Sequence, residues 1–550
     1  MVYQACVDGI CDCVFYVGGT RTQIRPCRVI TKALLGDRPD PGWEYIVRGA
    51  LYGFKVVNDS CPSEYMCYNY DFTPAERNLM SIKMRSELQK EYISVVDTPM
   101  SCVHALGCVP KGEGIRVVVD CSRPALTAVN NYTDEVSEKF HYKSVRDVTD
   151  MLMGGEVLCT LDISDAYRAI HTDPQSRSKQ GLSWDFGKGP VHMRDNRLSM
   201  GLSSSPYCFN RISDFVVRVL HAEGVPRCVN YLDDFCIVSD TQEQGRVDQR
   251  CLMRLLRHLG FDISFKKLID PSTYTRFLGI DIDTVNMCLF LPEDKMARLK
   301  ATVVDYSHRI SATKQELDEL AGLLAHCSCV IKGGRTFTRR VYDLCASESH
   351  PHRQVKLTEE FREDITWWCG FADIFNGSAK IIGPSSPMIG LYSDSSFWGY
   401  GAYSNRDWVA GPWDETNKWA KRLGHHYAGT TEVVSEENIN VLEMFPILQA
   451  AKRWGQEWRD RRICAVTDNT QVMWGLRKGR SKNSFSMEWI REIFWLSVEH
   501  NFIIDSVYIS TDDNILCDSL SRLDDPESVA KIRDRMCEDS MCCYDIFTDC

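Results

Sequence analysis

The sequence predicts an α+β and α/β multidomain protein, and three observations carry that prediction. The chain has 550 residues, more than one hydrophobic core usually serves, so three or four domains are expected. Up to about residue 290, short apolar runs bounded by Gly and Pro alternate with segments of helical periodicity, as in an α+β region. From Met388 to about Arg522 a second α/β pattern follows. With 44% apolar and 25% charged residues, the composition is that of a folded soluble chain. The charge is 64 − 75 = −11. It argues against a protein that coats nucleic acid with its whole surface, and leaves room for a basic channel in an acidic body.

Taken in order, residues 1–73 are rich in Cys and Gly, lack clear periodicity and receive no role. Residues 74–95 (PAERNLMSIKMRSELQKEYISV) read as an amphipathic helix opened by Pro74. Residues 103–119 read as strand pieces broken at Pro110 and at Gly112–Gly114. The α+β region is bounded at 74–290. Within 295–341, nine Lys and Arg (Lys295, Arg298, Lys300, Arg309, Lys314, Lys332, Arg335, Arg339, Arg340) face four acids, and helical periodicity is good. That stretch, bounded as 291–345, is followed by a connection at 346–387, the second α/β region at 388–523, and a charged, Cys-rich tail at 524–550. There is no repeat at a solenoid period, and no run approaches the 18 apolar residues of a membrane span, so no membrane partner is expected. The opening MVYQACVDGI lacks the basic and apolar regions of a secretory signal. An intracellular location, cytoplasmic or nuclear, is the expectation, with the 25 cysteines reduced. The terminal groups Cys6/Cys11/Cys13 and Cys537/Cys542/Cys543/Cys550 lack paired C-x2-C spacing and nearby histidines. Ordinary thiols are therefore the default over zinc.

Tyr231-Leu232-Asp233-Asp234 stands between the apolar runs CVN and FCIV and reads as a β-hairpin with two aspartates at its tip. Adjacent carboxylates on a tight turn repel, and a hard cation relieves them. The tetrapeptide alone is a weak signal; an Asp-rich solvated turn would look the same. Upstream, VLCTLDISDAYRAI ends an apolar strand at Asp162. Between the two, Ser199 to Pro206 is a run of small residues that lets backbone approach a flat ligand.

In this order the residues resemble the palm of a reverse transcriptase. The resemblance implies a right-hand polymerase of fingers, palm and thumb. It makes Asp162, Asp233 and Asp234 the catalytic, metal-holding acids. It puts Tyr167 where a side chain excludes a ribose 2′-OH, Met200 and Gly201 under the incoming nucleotide and template base, and Phe277, Leu278 and Gly279 at the primer terminus. Many retroviral enzymes carry Gln where this chain has Met200. Either Lys266 or Lys267 could protonate the leaving pyrophosphate. The stretch from Val109 to Asp120 resembles the strand pair of the fingers, which assigns Lys111 and Arg116 to the triphosphate. The basic 291–345 segment becomes the thumb, gripping backbone phosphate; some of its charges are a solvated helix face. Polymerisation of this kind uses two Mg²⁺, with Mn²⁺ as an alternative, about 4 Å apart.

A second acid series lies in 388–523: Asp394 in LYSDSSFWGYGAY, Glu443 in a helix of INVLEMFPILQAAKRW, Asp468 ending the strand of ICAVTDNTQVMWGL, and Asp518 opening the helix of NILCDSLSR. Any one of them alone is an ordinary cap or surface acid. Their order resembles the ribonuclease H fold, which implies catalytic, Mg²⁺-binding roles and two-metal hydrolysis of the RNA strand of a hybrid. Many relatives hold a histidine ten residues before the last Asp; here it is Tyr508, with Asn514 matching four residues before Asp518. A slower or differently loop-controlled nuclease is expected. Three segments (LTEEFREDITWWCGFADIFNG, GLLAHCSCVIKGGRTFTRRVYDL, CDSLSRL) resemble the DIRS type of retrotransposon, with long-terminal-repeat elements and pararetroviruses as alternatives. The resemblance covers about residues 75–523. The implied partners are an RNA template, a DNA primer, RNA–DNA hybrid and dNTPs, with a separate tyrosine recombinase and a gag-like protein. The rival reading is a domesticated or decayed retroelement protein that binds nucleic acid without polymerising.

Overall fold

The computed structural model describes residues 43–538, except 62–63, 113, 134–139, 141, 332, 375–376, 383–385, 414–440, 482 and 524, together with a hairpin at 14–17 and 20–23. The chain divides into two units, Met1–Leu278 and Gly279–Cys550.

In the first unit, helix α1 (Trp43–Tyr52) precedes α2 (Pro74–Gln89). Thr73 and Glu76 form a reciprocal capping box at the start of α2, with Pro74 in its first turn, where its missing N–H costs nothing. The helix is shorter than the expected 74–95. Glu91 takes φ 55°, and Ile93–Val95 enters a strand, the conformation its β-branched residues favour. Strands β1 (Ala105–Lys111) and β2 (Gly114–Asp120) form an antiparallel ribbon. Pro110 lies inside β1 opposite Ile115 and does not break it. A two-stranded ribbon leaves one edge of each strand unpaired, so a residue without an N–H fits there.

The central sheet is antiparallel and built from β3 (Val157–Asp162), β4 (Cys228–Tyr231), β5 (Asp234–Ser239) and β6 (Ile269–Ser272), in the order β4-β5-β3-β6. Its β3 strand is buried along nearly its whole length. Helices α3 (Ser205–Ala222) and α4 (Gln242–His258) accompany the sheet. One core unites Leu161, Ile163, Phe209, Ile212 and Phe235 with Ile46 of α1 and with Phe54, Val56 and Val57. Helix α1 and residues 54–57 are thus part of this body.

In the second unit, β7 (Ile280–Asp283), β8 (Cys288–Phe290) and β9 (Ser378–Lys380) pair antiparallel. Between β8 and β9 lie α5 (Glu293–His308), α6 (Lys314–Cys327), α7 (Arg339–Ala346) and α8 (Glu359–Ile374). The stretch expected to be a connection, 346–387, thus holds α8 and β9. Gln354–Lys356 pairs with Ser311–Thr313, and Tyr306 of α5 meets Phe361 of α8 at 6.1 Å. Four of the nine basic residues in 295–341 are already ion-paired: Arg309 with Asp305 and Glu316, Lys314 with Asp318, Arg339 with Asp343, and Arg340 with Glu363 and Asp364.

The last sheet in the chain has the order β12-β11-β10-β13-β14: β10 (Met388–Ser395), β11 (Gly399–Ser404), β12 (Asp407–Pro412), β13 (Arg462–Thr467) and β14 (Ile503–Tyr508). The first three strands are antiparallel; β10, β13 and β14 run parallel. Helices α9 (Phe445–Trp454), α10 (Thr470–Lys478), α11 (Ser484–Glu499), α12 (Ile515–Leu520) and α13 (Pro526–Glu538) complete it. Its core is aromatic-rich, with Phe445, Trp454, Trp458, Trp489 and Phe502. No helix among the described residues is long and apolar enough to cross a membrane. The described cysteines are free thiols; the two terminal cysteine groups lie outside the described side chains.

Candidate active sites

The first site is made by register. Asp162, the last residue of β3, pairs with Asp234 at the start of β5. Across the β4–β5 hairpin Tyr231 pairs with Asp234, leaving Leu232 and Asp233 as the turn. Leu232 has φ 52°, a conformation that a branched side chain adopts only under local constraint. Two hydrogen bonds supply that constraint: Ser213 Oγ donates to Leu232 O at 2.7 Å, and Ile163 N donates to Asp233 O at 3.1 Å. Asp162 is only 8% exposed. Burial raises the Asp233 carboxyl, and the Asp162 charge adds to the rise. Asp234 is pushed up to about 7, by burial first and then by Asp233 and Asp162. Three crowded, partly dehydrated carboxylates of this kind suit a hard cation.

Lys267 Nζ lies 2.8 Å from Asp162 Oδ1, and this hydrogen bond raises the lysine. The structure thereby distinguishes the two lysines that the spacing left open: Lys267 reaches the acids, and no ion pair involves Lys266 among the described residues. Arg116 on β2 is within electrostatic reach of Asp233. Lys111 ends β1 opposite Gly114, and its side chain is outside the described set. Tyr167 packs on Phe209 at 5.5 Å, close enough to Asp233 for that charge to raise its phenol after burial has done most of it. Met200 is 56% exposed. Gly201 sits against β2 so tightly that a Cβ there would lie 1.7 Å from Val119 O. Phe277 is buried. Leu278 and Gly279, with φ 49° and 74°, close the first unit and open the second.

One positioning residue of this site was not visible in the sequence. Asn130 Nδ2 donates to Gly201 O at 3.0 Å and to Ser122 Oγ at 2.9 Å, and its Oδ1 accepts from Ser203 N at 2.9 Å. It ties the 199–206 run to the end of β2 over a separation of about 70 residues, which no local pattern announces.

The second site brings three acids together. One carboxylate oxygen each from Asp394, Glu443 and Asp468 lie within 4.8 Å of one another, the one such three-ligand group among the described residues. Asp394 is near the end of β10, and Asp468 follows the last residue of the parallel strand β13. Glu443 differs from expectation: it lies in a turn, with Met444 capping α9 and Pro446 in the helix's first turn, a position proline favours because it starts a helix. Burial and the other acids raise Asp394 to about 7 and Glu443 to about 10. Glu443 Oε2 and Asp468 Oδ1 are buried without a hydrogen-bond partner. Orphaned acceptor oxygens on converging carboxylates fit a hard divalent cation.

Two of the other oxygens are held by hydroxyls: Ser521 Oγ donates to Asp394 Oδ2 at 2.9 Å, and Thr511 Oγ1 to Asp468 Oδ2 at 2.8 Å. Neither donor was singled out in the sequence, although Ser521 lies in CDSLSRL. Asp518 on α12 is outside the 4.8 Å group. It pairs with Arg522 at 2.6 Å and adds its charge to the field at Asp394 and Glu443. Asn514 Nδ2 donates to Ser393 O at 3.0 Å, tying the segment before α12 to β10. Tyr508 ends β14 with half its surface exposed.

A carboxylate-tipped antiparallel sheet, followed in the chain by an acid-bearing mixed five-stranded sheet, is the polymerase and ribonuclease H architecture of retroviral reverse transcriptases. Residues 109–282 match the family model described as reverse transcriptase (RNA-dependent DNA polymerase), and the chain therefore carries a reverse transcriptase domain. Among solved structures it is similar in fold to the foamy viral protease-reverse transcriptase dRH in complex with double-stranded DNA (TM-score 0.50, 14% identity, 83% of this chain and 74% of that one). It is equally similar to the foamy viral protease-reverse transcriptase in complex with RNA/DNA hybrid (TM-score 0.50, 16% identity, 83% of this chain), of which it spans 56%. No curated protein matches the chain.

Proposed function

We propose that the chain is an RNA-directed DNA polymerase with ribonuclease H activity, copying retrotransposon RNA into DNA and degrading the RNA of the resulting hybrid. The observation that supports it most is the pairing of Asp162 with Asp234 at the tip of the Tyr231–Asp234 hairpin, inside the region that matches the reverse transcriptase family. Mg²⁺ held at each acid cluster would supply activation of the attacking oxygen and neutralisation of charge on the reacting phosphate. In this reading Asp162, Asp233 and Asp234 hold it in the polymerase site, while Asp394, Glu443 and Asp468, with Asp518 beside them, hold it in the nuclease site. Lys111 and Arg116 bind the triphosphate, and Lys267 is the proton donor to pyrophosphate. Tyr167 excludes a 2′-OH, Met200 and Gly201 support the nucleotide, and Phe277, Leu278 and Gly279 hold the primer end. The partners are primed RNA template, hybrid and dNTPs. The domain boundaries, the DIRS lineage with its separate recombinase and gag-like protein, and an intracellular location belong to the same proposal.

The test is incorporation of dTTP on poly(rA)/oligo(dT) with Mg²⁺ by purified protein, beside an Asp233→Ala/Asp234→Ala variant. Incorporation is expected from the wild type alone. Equal, negligible incorporation by both overturns the polymerase reading and favours a decayed nucleic-acid-binding protein. Cleavage of an RNA–DNA hybrid, with Asp468→Asn as control, tests the nuclease separately. Absence of Mg²⁺-dependent cleavage above the control overturns that half.

A further inference from the structure

The catalytic turn is joined to the N-terminal helix by a chain of aromatic rings. Tyr231, first residue of the acid-bearing tetrapeptide, has its ring centroid 5.1 Å from Tyr142. Tyr142 is 4.7 Å from Phe140, and Phe140 is 5.9 Å from Tyr207 of α3. Tyr207 is 6.0 Å from Tyr45 of α1, and Tyr45 is 5.4 Å from Phe54. Every step lies within the range of favourable aromatic pairs, and most are edge-on or tilted. The far end is fixed. Tyr45 OH donates to Cys208 Sγ at 2.9 Å. Phe54 N donates to His171 O at 2.9 Å, and Ser204 Oγ to Val56 O at 2.7 Å. At the near end Tyr142 is 42% exposed, so its place beside Tyr231 owes more to the ring contacts than to enclosure.

Helix α1 lies outside residues 109–282, which match the family. We infer that this N-terminal segment is a built-in brace of the polymerase site, acting through Phe140 and Tyr142, which are positioning residues for the Tyr231–Asp233 turn. The physical need is plain. Leu232 holds a positive φ, so the turn is a costly local conformation that persists only when its surroundings over-determine it. Hydrogen bonds fix the Leu232 and Asp233 carbonyls; the Tyr142 ring meets Tyr231, the residue that leads into them.

The inference rests on the polymerase reading for its consequence, but its test does not. Hydrogen exchange of the full chain would be followed in a peptide covering 228–235 and, as a control, in one covering 388–395, for wild type, Tyr142→Ala, Tyr142→Phe, Phe140→Leu and Tyr45→Leu. Losing one ring pair should speed exchange of 228–235 about threefold to tenfold in Tyr142→Ala, Phe140→Leu and Tyr45→Leu. The 388–395 peptide should be unchanged, and Tyr142→Phe should behave as wild type. Combining Tyr45→Leu with Tyr142→Ala should add little to either, because a brace breaks once. Unchanged exchange at 228–235, a rise shared by both peptides, or effects of the two substitutions that multiply would each overturn the inference. Single-turnover dTTP incorporation by the same variants should fall by the same factor with the dNTP dissociation constant unchanged. A wild type that incorporates nothing overturns the polymerase reading alone and leaves the exchange result to decide the brace.

Discussion

Gly201→Ala is the most demanding perturbation of the polymerase site, because the obstacle is backbone. The added Cβ would lie 1.7 Å from Val119 O, 2.8 Å from Val119 C and 3.2 Å from Cys121 Sγ. A carbon–oxygen contact needs about 3.2 Å, so the 199–206 run and β2 must separate by roughly 1.5 Å. Asn130 resists that movement, since it holds Gly201 O at 3.0 Å and Ser203 N at 2.9 Å. Breaking those two hydrogen bonds costs about 1–3 kcal/mol, and the overpacking about as much again. A total on the order of 2–6 kcal/mol is expected, read as a lower denaturant midpoint for the first unit. Displacing by about 1 Å the surface that supports the nucleotide should slow incorporation about 100-fold, with most of the loss in nucleotide affinity and positioning. The assay is single-turnover dTTP addition over a range of dTTP. Hybrid cleavage, which depends on acids in the other unit, serves as the folding control. Wild-type incorporation and an unshifted midpoint would refute the reasoning, for they would mean that Val119 and Gly201 are not in contact in solution.

Lys267→Met should slow incorporation about 100-fold, as loss of a general acid does, whereas Lys266→Met should not; equal effects would refute the distinction. Because Lys267 is two-thirds exposed, neither change should alter stability by more than about 1 kcal/mol. The acids of the second site predict a pH dependence of opposite sign to that of salt-bridged carboxylates. Asp394 and Glu443 are raised to about 7 and about 10, so from about pH 4 upward the native state retains protons that the unfolded chain has released. Metal-free protein should lose stability as pH rises from about 5 to 8.5. Mg²⁺ should restore it, and Glu443→Gln should melt higher than wild type at pH 8 without Mg²⁺. A flat profile, or no Mg²⁺ effect on melting, would refute this. Asp364, 1% exposed, pairs with Arg340 and with Arg491 at 2.9 Å. Asp364→Ala takes the ion-pair partner from Arg491, while Arg340 keeps Glu363, and should destabilise the second unit by about 3–5 kcal/mol in a denaturant titration.

The acids were legible in the sequence because chemistry placed them where local pattern is strongest. Asp162 and Asp468 close apolar strands, Asp233 sits on a two-residue turn between two more, and Asp234 opens the second of these; all are defined by residues within a few positions of them. Glu443 was legible as an acid and not as a turn residue, because Pro446 and the helical periodicity after it pull in opposite directions and only packing decides. Pro110 was misread for a related reason. A strand-breaking residue is harmless on a ribbon edge, and whether an edge exists is a property of the sheet, not of the strand.

What stayed hidden is what bridges long separations. Asn130 to Gly201, Thr511 to Asp468, Ser521 to Asp394 and Tyr45 to Tyr207 each join residues about 40 to 160 positions apart, and each donor or ring is of a type too common to stand out. These contacts nevertheless decide geometry. A carboxylate at a strand end can point in several directions, and its useful direction is set by the hydroxyl, amide or ring that meets it from elsewhere in the chain. Identity of the reacting groups is therefore a local property and their alignment a global one. It follows that substitution of Asn130, Thr511 or Tyr142 should lower rates while sparing metal affinity, and substitution of the acids should abolish both.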